Sequence, residues 1–418
     1  MVEITTAPRL PRRTPLALRN VTHEKYKSLT AIAGICFANI LILMQLGFLE
    51  VVKITATNLF SKLRFDAVLV SRTYEQFFDA GTIPKERLIQ ARGVEGVVDA
   101  NPFYASMALW RCPPIPISPD AENVGVWDSL LSSTGFGTED KPVRLRGLLV
   151  LGIELDDIPF FDPIQSQVVD HLPFLRQPGR VLLDEWSHPD FGWKVRDQFH
   201  DWELGRRRVD IVGGFTLGTG FGADATVLCS DANYVTFCRG ASLDRITLGL
   251  LTVVGRSPVE VVKELAARMP ADTLVFTREE LMSKEQRHWV RNTATGVLFG
   301  FGVFVAVCVG TVVVYQVLSN DVANHYAEYA TLKAIGYTNR FLAGVVTTQA
   351  LLYAISAFLP ALFLSVGLYR LTEMIANIPM KLTLFNVLLV LALSVIMCLV
   401  SALLTLRRVR LTDPADLF

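Results

Sequence analysis

The sequence has no phosphate-binding loop of the G-x-x-x-x-G-K-[ST] type and no C-x-x-C pair. The first absence argues against nucleotide hydrolysis at a Walker-type site in this chain, and the second gives little support to a zinc or thioredoxin-like centre. Neither sign of charge is in excess, since 40 basic residues balance 40 acidic ones. Phosphate binding needs a basic surface, so nucleic acid is not an expected partner.

Residues that could hold a metal or cofactor are also scarce. The densest cluster comprises Asp184, Glu185, His188 and Asp190, and its spacing matches neither a zincin helix nor a calcium loop. We interpret it as a solvated turn. The glycine-rich stretch 218–222 is not followed by a helix that could receive a phosphate, so a β-turn is favoured there. No metal, no cofactor and no catalytic residue set is expected.

Cysteine is sparse, with six residues in the chain. Three of them fall in apolar runs, where a thiol behaves as a small hydrophobe. Cys229 and Cys238 are candidates for a disulfide if the region that holds them is periplasmic. Free thiols remain the alternative.

Charge is missing altogether from four long stretches of an otherwise mixed chain, whose mean hydropathy is +0.37. None of the four contains Asp, Glu, Lys, Arg or His: they are Ser28–Leu49, Asn292–Asn320, Phe341–Tyr369 and Leu382–Leu406. A helix needs about 20 apolar residues to cross a bilayer, and a central charge would cost about 2.5–3.5 kcal/mol. The pattern therefore predicts four transmembrane helices. The first run is too long for the apolar region of a signal peptide.

Basic residues predict how these spans are oriented. They are concentrated before the first span and after the fourth: Arg9, Arg12, Arg13, Arg19, Lys25, Lys27, Arg407, Arg408 and Arg410. The positive-inside rule then places both termini in the cytoplasm. The predicted segments are a cytoplasmic amphipathic segment 1–27, spans at 28–50, 291–319, 341–369 and 382–406, a periplasmic domain 51–290, a cytoplasmic loop 320–340, a short periplasmic loop 370–381 and a cytoplasmic tail 407–418.

The segment 51–290 reads as an α+β domain inserted between the first two spans. Strand, helix and strand signals follow one another at 65–71, 84–91 and 94–99, and again at 246–253, 258–269 and 273–276. We expect a membrane-proximal α+β lobe from 51–101 and 244–290, and a β-rich insert from 102–243. Capping boxes are predicted at Ser257–Glu260 and Thr277–Glu280. One unbroken helix is expected from Glu279 to about Leu318, and Pro360 is expected to kink the third span.

The absence of ionisable residues from the four stretches also bears on function. Ion-coupled transporters usually carry acidic, basic or histidine side chains within their spans. Their absence argues against a secondary transporter and against a polar substrate path through these helices.

The loop between the second and third spans is the most informative segment. Residues 320–337 are helix-like and end near a glycine. Within them, Tyr326–Gly336 resembles the "R-E-I-G-L-L-R-A-L-G" loop of FtsX-like ABC permeases, the group of MacB, LolC/LolE and FtsX. Glu328, Lys333 and Gly336 fall on the motif, whereas Tyr326 stands where Arg is common. Leu16–Asn20 and the tail from Arg407 to Ala415 are similar to further family segments. Val181–Glu185, Gly213–Asp231 and Phe276–Glu280 resemble the DevC subgroup, the permease of the DevBCA exporter.

The resemblance implies a non-catalytic permease that works as a homodimer with a cytoplasmic ABC ATPase, which is where ATP is used. Its ATPase-coupling loop would comprise His325, Tyr326, Glu328, Tyr329, Thr331, Leu332, Lys333 and Gly336. The spans would act as levers in the lipid bilayer, and a periplasmic adaptor (membrane-fusion protein) with an outer-membrane channel would carry the substrate, which the DevC likeness suggests is a glycolipid. Two alternatives stay open: a regulator of a periplasmic hydrolase and a lipoprotein-extraction permease.

Overall fold

The computed structural model describes residues 25–112, 144–188, 191, 202–218, 223–324, 331, 335, 338–376 and 380–411. Its helices are α1 (Lys25–Lys62), α2 (Glu86–Arg92), α3 (Ile164–Asp170), α4 (Leu172–Leu175), α5 (Asp231–Phe237), α6 (Pro258–Arg268), α7 (Arg278–Arg291), α8 (Ala294–Asn324), α9 (Asn339–Ala376) and α10 (Leu384–Leu411). Its strands are β1 (Ala67–Ser71), β2 (Ile83–Pro84), β3 (Val97–Cys112), β4 (Arg144–Ile153), β5 (Arg180–Asp184), β6 (Trp202–Leu204), β7 (Arg207–Phe215), β8 (Thr226–Ser230), β9 (Arg245–Ile246), β10 (Leu248–Val253) and β11 (Thr273–Thr277).

The chain forms two compact units. One, the helix unit, contains the residues up to Val51 and from Asn292 onward; the other, the inserted domain, contains Val52–Arg291. Among the described residues, four helices are long and apolar enough to cross a bilayer: Ser28–Lys62, Ala294–Asn324, Ala343–Met374 and Leu384–Arg407. The predicted membrane architecture, four spans with a large α+β domain between the first and second, is confirmed.

Helix α1 contains the first apolar stretch and extends well beyond its end at Leu49. α1 runs without a break from Lys25 to Lys62, and its last turns, Val52–Lys62, belong to the inserted domain. At 1.5 Å per residue these eleven residues add about 16 Å of rigid helix. The third span is likewise continuous through Pro360.

The expected single helix from Glu279 to Leu318 is wrong. α7 ends at Arg291 and α8 begins at Ala294. Thr293 is the cap of the new helix, because its Oγ1 accepts a hydrogen bond from the Gly296 N–H at 3.2 Å. A threonine cap terminates one helix and starts another without glycine or proline, so no breaker residue marks the place in the sequence.

One nine-stranded sheet organises the inserted domain, in the order β11-β1-β10-β3-β4-β8-β5-β7-β6. β6 also pairs with β3, through Trp110↔Leu204 and Arg111↔Glu203. Strands β3, β4, β8, β5, β7 and β6 therefore form a closed barrel, in which the Trp110 and Trp202 rings stack at 5.7 Å between centroids. Closure removes the unpaired edge that an open sheet would expose there.

The sixteen-residue strand β3 joins the two regions that the sequence predicts as separate lobes. Residues Val97–Phe103 of β3 pair with β10, and residues Phe103–Cys112 pair with β4 in the barrel. The helix-bearing part of the sheet and the β-rich part thus share one strand. A buried core lies on each face of the sheet, one around Tyr104 and Trp110 and the other around Phe103 and Phe160.

The two predicted capping boxes have different outcomes. At the start of α7, the Thr277 N–H donates to Glu280 Oε2 at 2.9 Å and the Glu280 N–H donates to Thr277 Oγ1 at 3.2 Å. This reciprocal pair confirms the prediction. At the start of α6 the prediction is wrong, because the Ser257 side chain makes no capping hydrogen bond and its backbone carbonyl accepts from the Glu260 N–H instead.

Candidate coupling site

Most of the predicted ATPase-coupling loop lies outside the described residues. This applies to His325, Tyr326, Glu328, Tyr329, Leu332, Lys333 and Gly336. Thr331 is helical and exposed, and Ile335 is 71% exposed. The role assigned to this loop therefore stays a prediction. What the structure does show is how the helices that border it, α8 and α9, are held to the rest of the helix unit.

Four side chains of the helix unit form a buried polar cluster, which we call the Asp321 node. Asp321 itself lies four residues before His325, the first residue of the predicted coupling loop. The node consists of Ser28 on α1, Asp321 on α8, and Gln349 and Tyr353 on α9, each no more than 9% exposed. Gln349 Nε2 donates to Asp321 Oδ2 at 2.6 Å and lies 3.4 Å from the Tyr353 hydroxyl, which in turn lies 3.4 Å from Ser28 Oγ. The node thus links three spans.

Sequence reasoning missed this node. The uncharged stretch Asn292–Asn320 ends one residue before Asp321, whereas α8 continues to Asn324. Asp321 is therefore an acidic residue that lies just beyond the uncharged stretch and is buried within the helix unit. A useful signal was present, since an aspartate close to a span end pairs with polar groups on neighbouring helices more often than it faces lipid.

The C-terminus of α1 is capped entirely by the inserted domain. The last four carbonyls of a helix have no partner within it. Here Leu59 O accepts from the Leu63 N–H at 3.1 Å, Phe60 O and Ser61 O each accept from Arg278 Nη2 at 2.9 Å, and Lys62 O accepts from the Phe161 N–H at 2.9 Å. The partners come from the residue after α1, from the start of α7 and from the loop after β4, so α1 is fixed to separate parts of the domain.

Arg278 makes the central contribution to this cap. Its guanidinium lies 5.4 Å from the ring centroids of both Phe65 and Phe161, and a cation at a helix C-terminus also interacts favourably with the helix dipole. Burial lowers the pKa of Arg278, with the nearby Asp66 opposing that shift. The side chain that starts α7 therefore completes the end of α1.

A second attachment holds the segment 216–218, which follows β7. From α1, Asn58 Nδ2 donates to Leu217 O at 2.7 Å and to Gly218 O at 3.1 Å, and Lys62 Nζ donates to Thr216 O at 2.9 Å and to Leu217 O. From the other side, the Asp184 carboxylate accepts the N–H groups of Leu217 and Gly218 at 3.0 and 2.9 Å. Both the carbonyls and the amides of this segment are thus engaged.

Asp184 therefore has a structural role, because its carboxylate holds the segment 216–218. It is fully buried, and desolvation raises its pKa to about 6, although the three backbone amides and Lys62 act in the opposite direction. Glu185 and His188 are exposed, and Asp190 lies outside the described residues. Within the described part of the chain, no three His, Cys, Asp or Glu side chains come together as a metal site.

A third contact joins α7 to the loop after β1. The Tyr74 hydroxyl donates to Glu285 Oε1 at 2.5 Å, and Lys284 Nζ donates to Tyr74 O at 2.9 Å. Glu285 is fully buried, and desolvation raises its pKa to about 7 despite the hydrogen bond from Tyr74. Burial, followed by the Glu285 charge, raises the pKa of Tyr74 well above its usual value.

Aromatic side chains extend this contact back to α1. Phe60 meets Phe77 edge-on at 5.6 Å, Phe77 meets Phe78 at 5.6 Å, and Phe78 meets Trp289 of α7 at 6.2 Å. A cavity of ≈ 50 Å³ beside these rings is lined in part by Asn58 and Glu285. That volume suits a few water molecules rather than a ligand of substrate size.

The candidate disulfide is not formed in the structure, where Cys229 and Cys238 are both buried free thiols. Burial raises the pKa of Cys229 well above its usual value and that of Cys238 to about 12. Thiols of this kind are unreactive, because the thiolate is the nucleophilic form. Whether they pair in the cell stays a prediction.

Comparison with known proteins bears on the spans that follow the inserted domain. Residues 300–414 match the family model of the FtsX-like permease C-terminal region. This match supports an FtsX-like ABC permease. Permeases of that family are membrane-embedded, non-catalytic transporter components that work with an ABC ATPase. The matched region includes α9, α10, most of α8 and the predicted coupling loop, so the resemblance seen in the loop motif extends over three of the four spans.

Similarity to solved structures is distant. The chain is 9% identical to the periplasmic region of MacB from Actinobacillus actinomycetemcomitans, with 53% of this chain and 92% of that one covered and a TM-score of 0.32. It is 9% identical to the extracellular domain of the noncanonic ABC-type transporter YknZ from Gram-positive bacteria, with coverage of 51% and 100% and a TM-score of 0.29. Similarities of this extent establish neither fold nor function. No curated protein matches the chain.

Proposed function

We propose that this chain is the permease subunit of an ATP-driven tripartite exporter of the bacterial inner membrane, with both termini cytoplasmic and Val52–Arg291 in the periplasm. It acts as a homodimer with a cytoplasmic ABC ATPase, a periplasmic adaptor and an outer-membrane channel. The family match over residues 300–414 supports the ATPase-linked part of this proposal. The glycolipid substrate and the DevC-type assembly rest on the resemblances in the sequence.

The observation that carries the mechanical part of the proposal is the capped end of α1. A continuous helix crosses the first apolar stretch and ends with its last four carbonyls bonded to residues of the inserted domain. Any displacement of α1 along its axis must therefore move these attached segments, because each lost carbonyl partner would leave a polar group unpaired. The first span is thus the lever that drives the domain.

The connection between the inserted domain and the second span is not a continuous helix. Asn292 and Thr293 interrupt the helix between α7 and α8, so this link bends more easily than α1 does. One stiff and one jointed connection allow the domain to follow the first span while the second span changes its tilt. The stiff helical connection that the sequence predicts for the second span is therefore supplied by the first span, through α1.

Co-purification tests the assembly. A tagged wild-type chain is expected to retain an ABC ATPase in mild detergent, and Glu328→Lys combined with Lys333→Glu is expected to lower the retained ATPase at least about tenfold, as for the loss of charged interface contacts. Glu373→Lys with Arg370→Glu, a pair near the other end of α9, is the matched control and should retain the ATPase. An ATPase retained equally by all three forms would contradict the docking role of the loop.

A further inference from the structure

A second cavity of the inserted domain lies between the loop that joins β1 to β2 and the middle of β3. Its volume is ≈ 390 Å³, against ≈ 50 Å³ for the cavity described above. Small-molecule sites in proteins typically have volumes of about 300–1,000 Å³. The second cavity is therefore large enough for an organic ligand.

One side of this cavity opens into a buried core of the sheet. Phe77 and Leu149 belong to that core and are 7% and 6% exposed, and Phe78 and Ala105 pack against it. Met107 continues the apolar lining toward solvent and is 45% exposed. An alkyl group placed here would remove apolar surface from water, so this side of the cavity fits a hydrocarbon chain.

A gap in the sheet supplies backbone polar groups on the other side. Pairing of β3 with β10 ends at Phe103, and pairing of β3 with β6 begins at Trp110. Thr247, which precedes β10, fills part of the interval, because its Oγ1 accepts from the Ala105 N–H at 2.9 Å and donates to the Ala105 carbonyl at 3.1 Å. The part of this edge that no described strand covers is centred on Met107.

Met107 directs its backbone groups into that gap. It lies opposite Leu149 of β4, whose own N–H donates toward β8, to Ala225 O at 3.0 Å. Opposed residues of an antiparallel pair exchange either both hydrogen bonds or neither, so the Met107 N–H points away from β4. The next residue on this edge is already engaged, because Leu109 O accepts from the Gly205 N–H at 3.0 Å. The Met107 N–H is thus the donor that the edge offers to a ligand.

The loop at the rim of the cavity is fixed by its own hydrogen bonds. Arg245 of β9 donates from Nε to Thr82 Oγ1 and from Nη2 to Thr82 O, both at 2.8 Å. The Asp79 N–H donates to Gln76 O at 3.0 Å, and the Phe78 N–H donates to Gln76 Oε1 at 3.1 Å. Since the Thr82 hydroxyl accepts from Arg245, its own proton remains free to be donated. A rim that is already ordered lowers the entropic cost of binding a ligand.

The polar groups around the cavity discriminate between head groups. None of the described residues that line it is Lys, Arg or His, whereas Asp79 contributes an exposed carboxylate. An anionic head group would be repelled by that charge. A quaternary ammonium would suit Asp79 but would leave the donors of Met107 and Thr82 unmatched. Hydroxyl groups both donate and accept, so they match all three residues.

We propose that this cavity binds an amphiphile with an alkyl chain and an uncharged, hydroxyl-bearing head group. The chain lies against Phe78, Met107 and Leu149, and the head group bonds to the Met107 N–H, the Thr82 hydroxyl and the Asp79 carboxylate. The inference deepens the proposed function, on which it rests for the statement that this amphiphile is the exported substrate. The binding itself follows from the cavity alone.

Photolabelling of the full chain in lipid nanodiscs tests the site. The probe is decyl glucoside with a photoreactive diazirine at the end of its chain, and mass spectrometry of peptides locates the label. Labelling is expected in residues 77–82 and 105–107, and an excess of unlabelled decyl glucoside should suppress it. Decyl phosphate and decyltrimethylammonium at the same concentration should suppress it at least about tenfold less effectively. Labelling confined to the spans, or equal suppression by the three competitors, overturns the proposal.

A variant that fills the cavity is compared with a matched control on the same strand. Met107→Trp places a large ring in the cavity and is expected to lower the labelling of residues 77–82 about tenfold. Leu109→Trp is the control, because Leu109 lies on the same face of β3, is 58% exposed and does not line the cavity. It should be labelled like the wild type. Undiminished labelling of Met107→Trp, or an equal loss in the control, overturns the proposal.

A change of charge decides the matter if Met107→Trp does not fold. Met107→Lys adds a cation to the lining at a position exposed enough to accept one, so decyl phosphate should become a more effective competitor by about tenfold. An unchanged order of the three competitors overturns the proposal here too.

The same preparation separates this proposal from the proposed function. Labelling at the cavity without a co-purifying ATPase removes the exporter role and leaves the binding site. A retained ATPase without labelling at the cavity removes the binding site and leaves the exporter role.

Discussion

Arg278 donates to the carbonyls of Phe60 and Ser61 from the first position of α7, so one side chain joins the beginning of one helix to the end of another. The two helices are separated by more than 200 residues of sequence. Between them the chain builds the whole sheet of the inserted domain. The cap is therefore formed only after that domain has folded, and it fixes the last turn of the first span to the finished structure.

Removing this guanidinium should loosen the end of α1. Arg278→Met is expected to lower the free energy of unfolding by about 2 kcal/mol, the scale of hydrogen bonds from a charged donor to backbone carbonyls. Arg278→Lys should recover part of that loss, because an ammonium can reach one carbonyl but cannot stack on Phe65 and Phe161. Thermal unfolding of the full chain in detergent measures both. Arg287→Met, an exposed position on the same helix, is the control and should change stability by less than about 0.5 kcal/mol.

Glu285 should make the stability of the protein fall as the pH rises. Its pKa is about 7 in the folded chain against 4.5 in the unfolded one, so between these values the folded state binds more protons. The stabilising effect is complete below pH 4.5 and is lost as the pH rises to about 7, with a total on the order of 3 kcal/mol.

Glu285→Gln isolates this contribution, since glutamine still accepts from Tyr74 and does not titrate. Unfolding temperatures of wild type and variant are compared from pH 5 to pH 8. Asp184 also has a raised pKa and acts in the same direction, but it does so in both proteins. The difference between the two curves should therefore widen with pH in favour of the variant, and parallel curves would contradict the assignment.

Asp184→Asn should release the segment 216–218. An asparagine can accept only one of the two amides that the carboxylate accepts, and its NH₂ group would face the other N–H. The expected loss is about 2–3 kcal/mol of unfolding free energy, together with faster amide exchange at Leu217 and Gly218. The exposed neighbour Glu185 supplies the control, and exchange at these two amides should be unchanged in Glu185→Gln.

Substitutions at the two residues of the turn between β6 and β7 should change the stability of the protein in opposite directions. Gly205 has φ +57°, and a Cβ placed there would lie 2.0 Å from the Phe237 carbonyl oxygen, which is backbone and cannot rotate away. Gly205→Ala should cost about 3 kcal/mol or more. Arg206 also has a positive φ, of 68°, so Arg206→Gly removes backbone strain and should be neutral or stabilising by up to about 1 kcal/mol. Thermal unfolding that ranks these variants in the reverse order would contradict this account.

Features of this structure that depend on residues close together in the sequence can be predicted from it, whereas contacts between distant residues cannot. The four spans follow from composition alone, because hydrocarbon excludes charge over about 20 residues at a time. The Thr277–Glu280 capping box is equally local and is correctly predicted. The break at Thr293 is local too, but threonine is compatible with a helix interior as well as with a cap, so its sequence does not decide between them.

The candidate site depends on contacts that no local pattern contains. Arg278 reaches Phe60 across the entire inserted domain, and Trp110 of β3 pairs with Leu204 of β6 to close the barrel. Neither pairing is encoded in periodicity or spacing. Asp321 and Gln349 were visible as individual polar residues, but their hydrogen bond exists only because α8 and α9 are packed side by side.

The register of β3 and β4 has a consequence for the chain that joins these two strands. Cys112 and Arg144 are directly opposed partners at the end of the ladder, so the two strands end about 5 Å apart. An insertion whose ends already meet can be lengthened, shortened or exchanged without shifting any strand. The pairing of β3 with β4 therefore sets no length for the chain that joins them, and the closed barrel tolerates a connection of any size at this point.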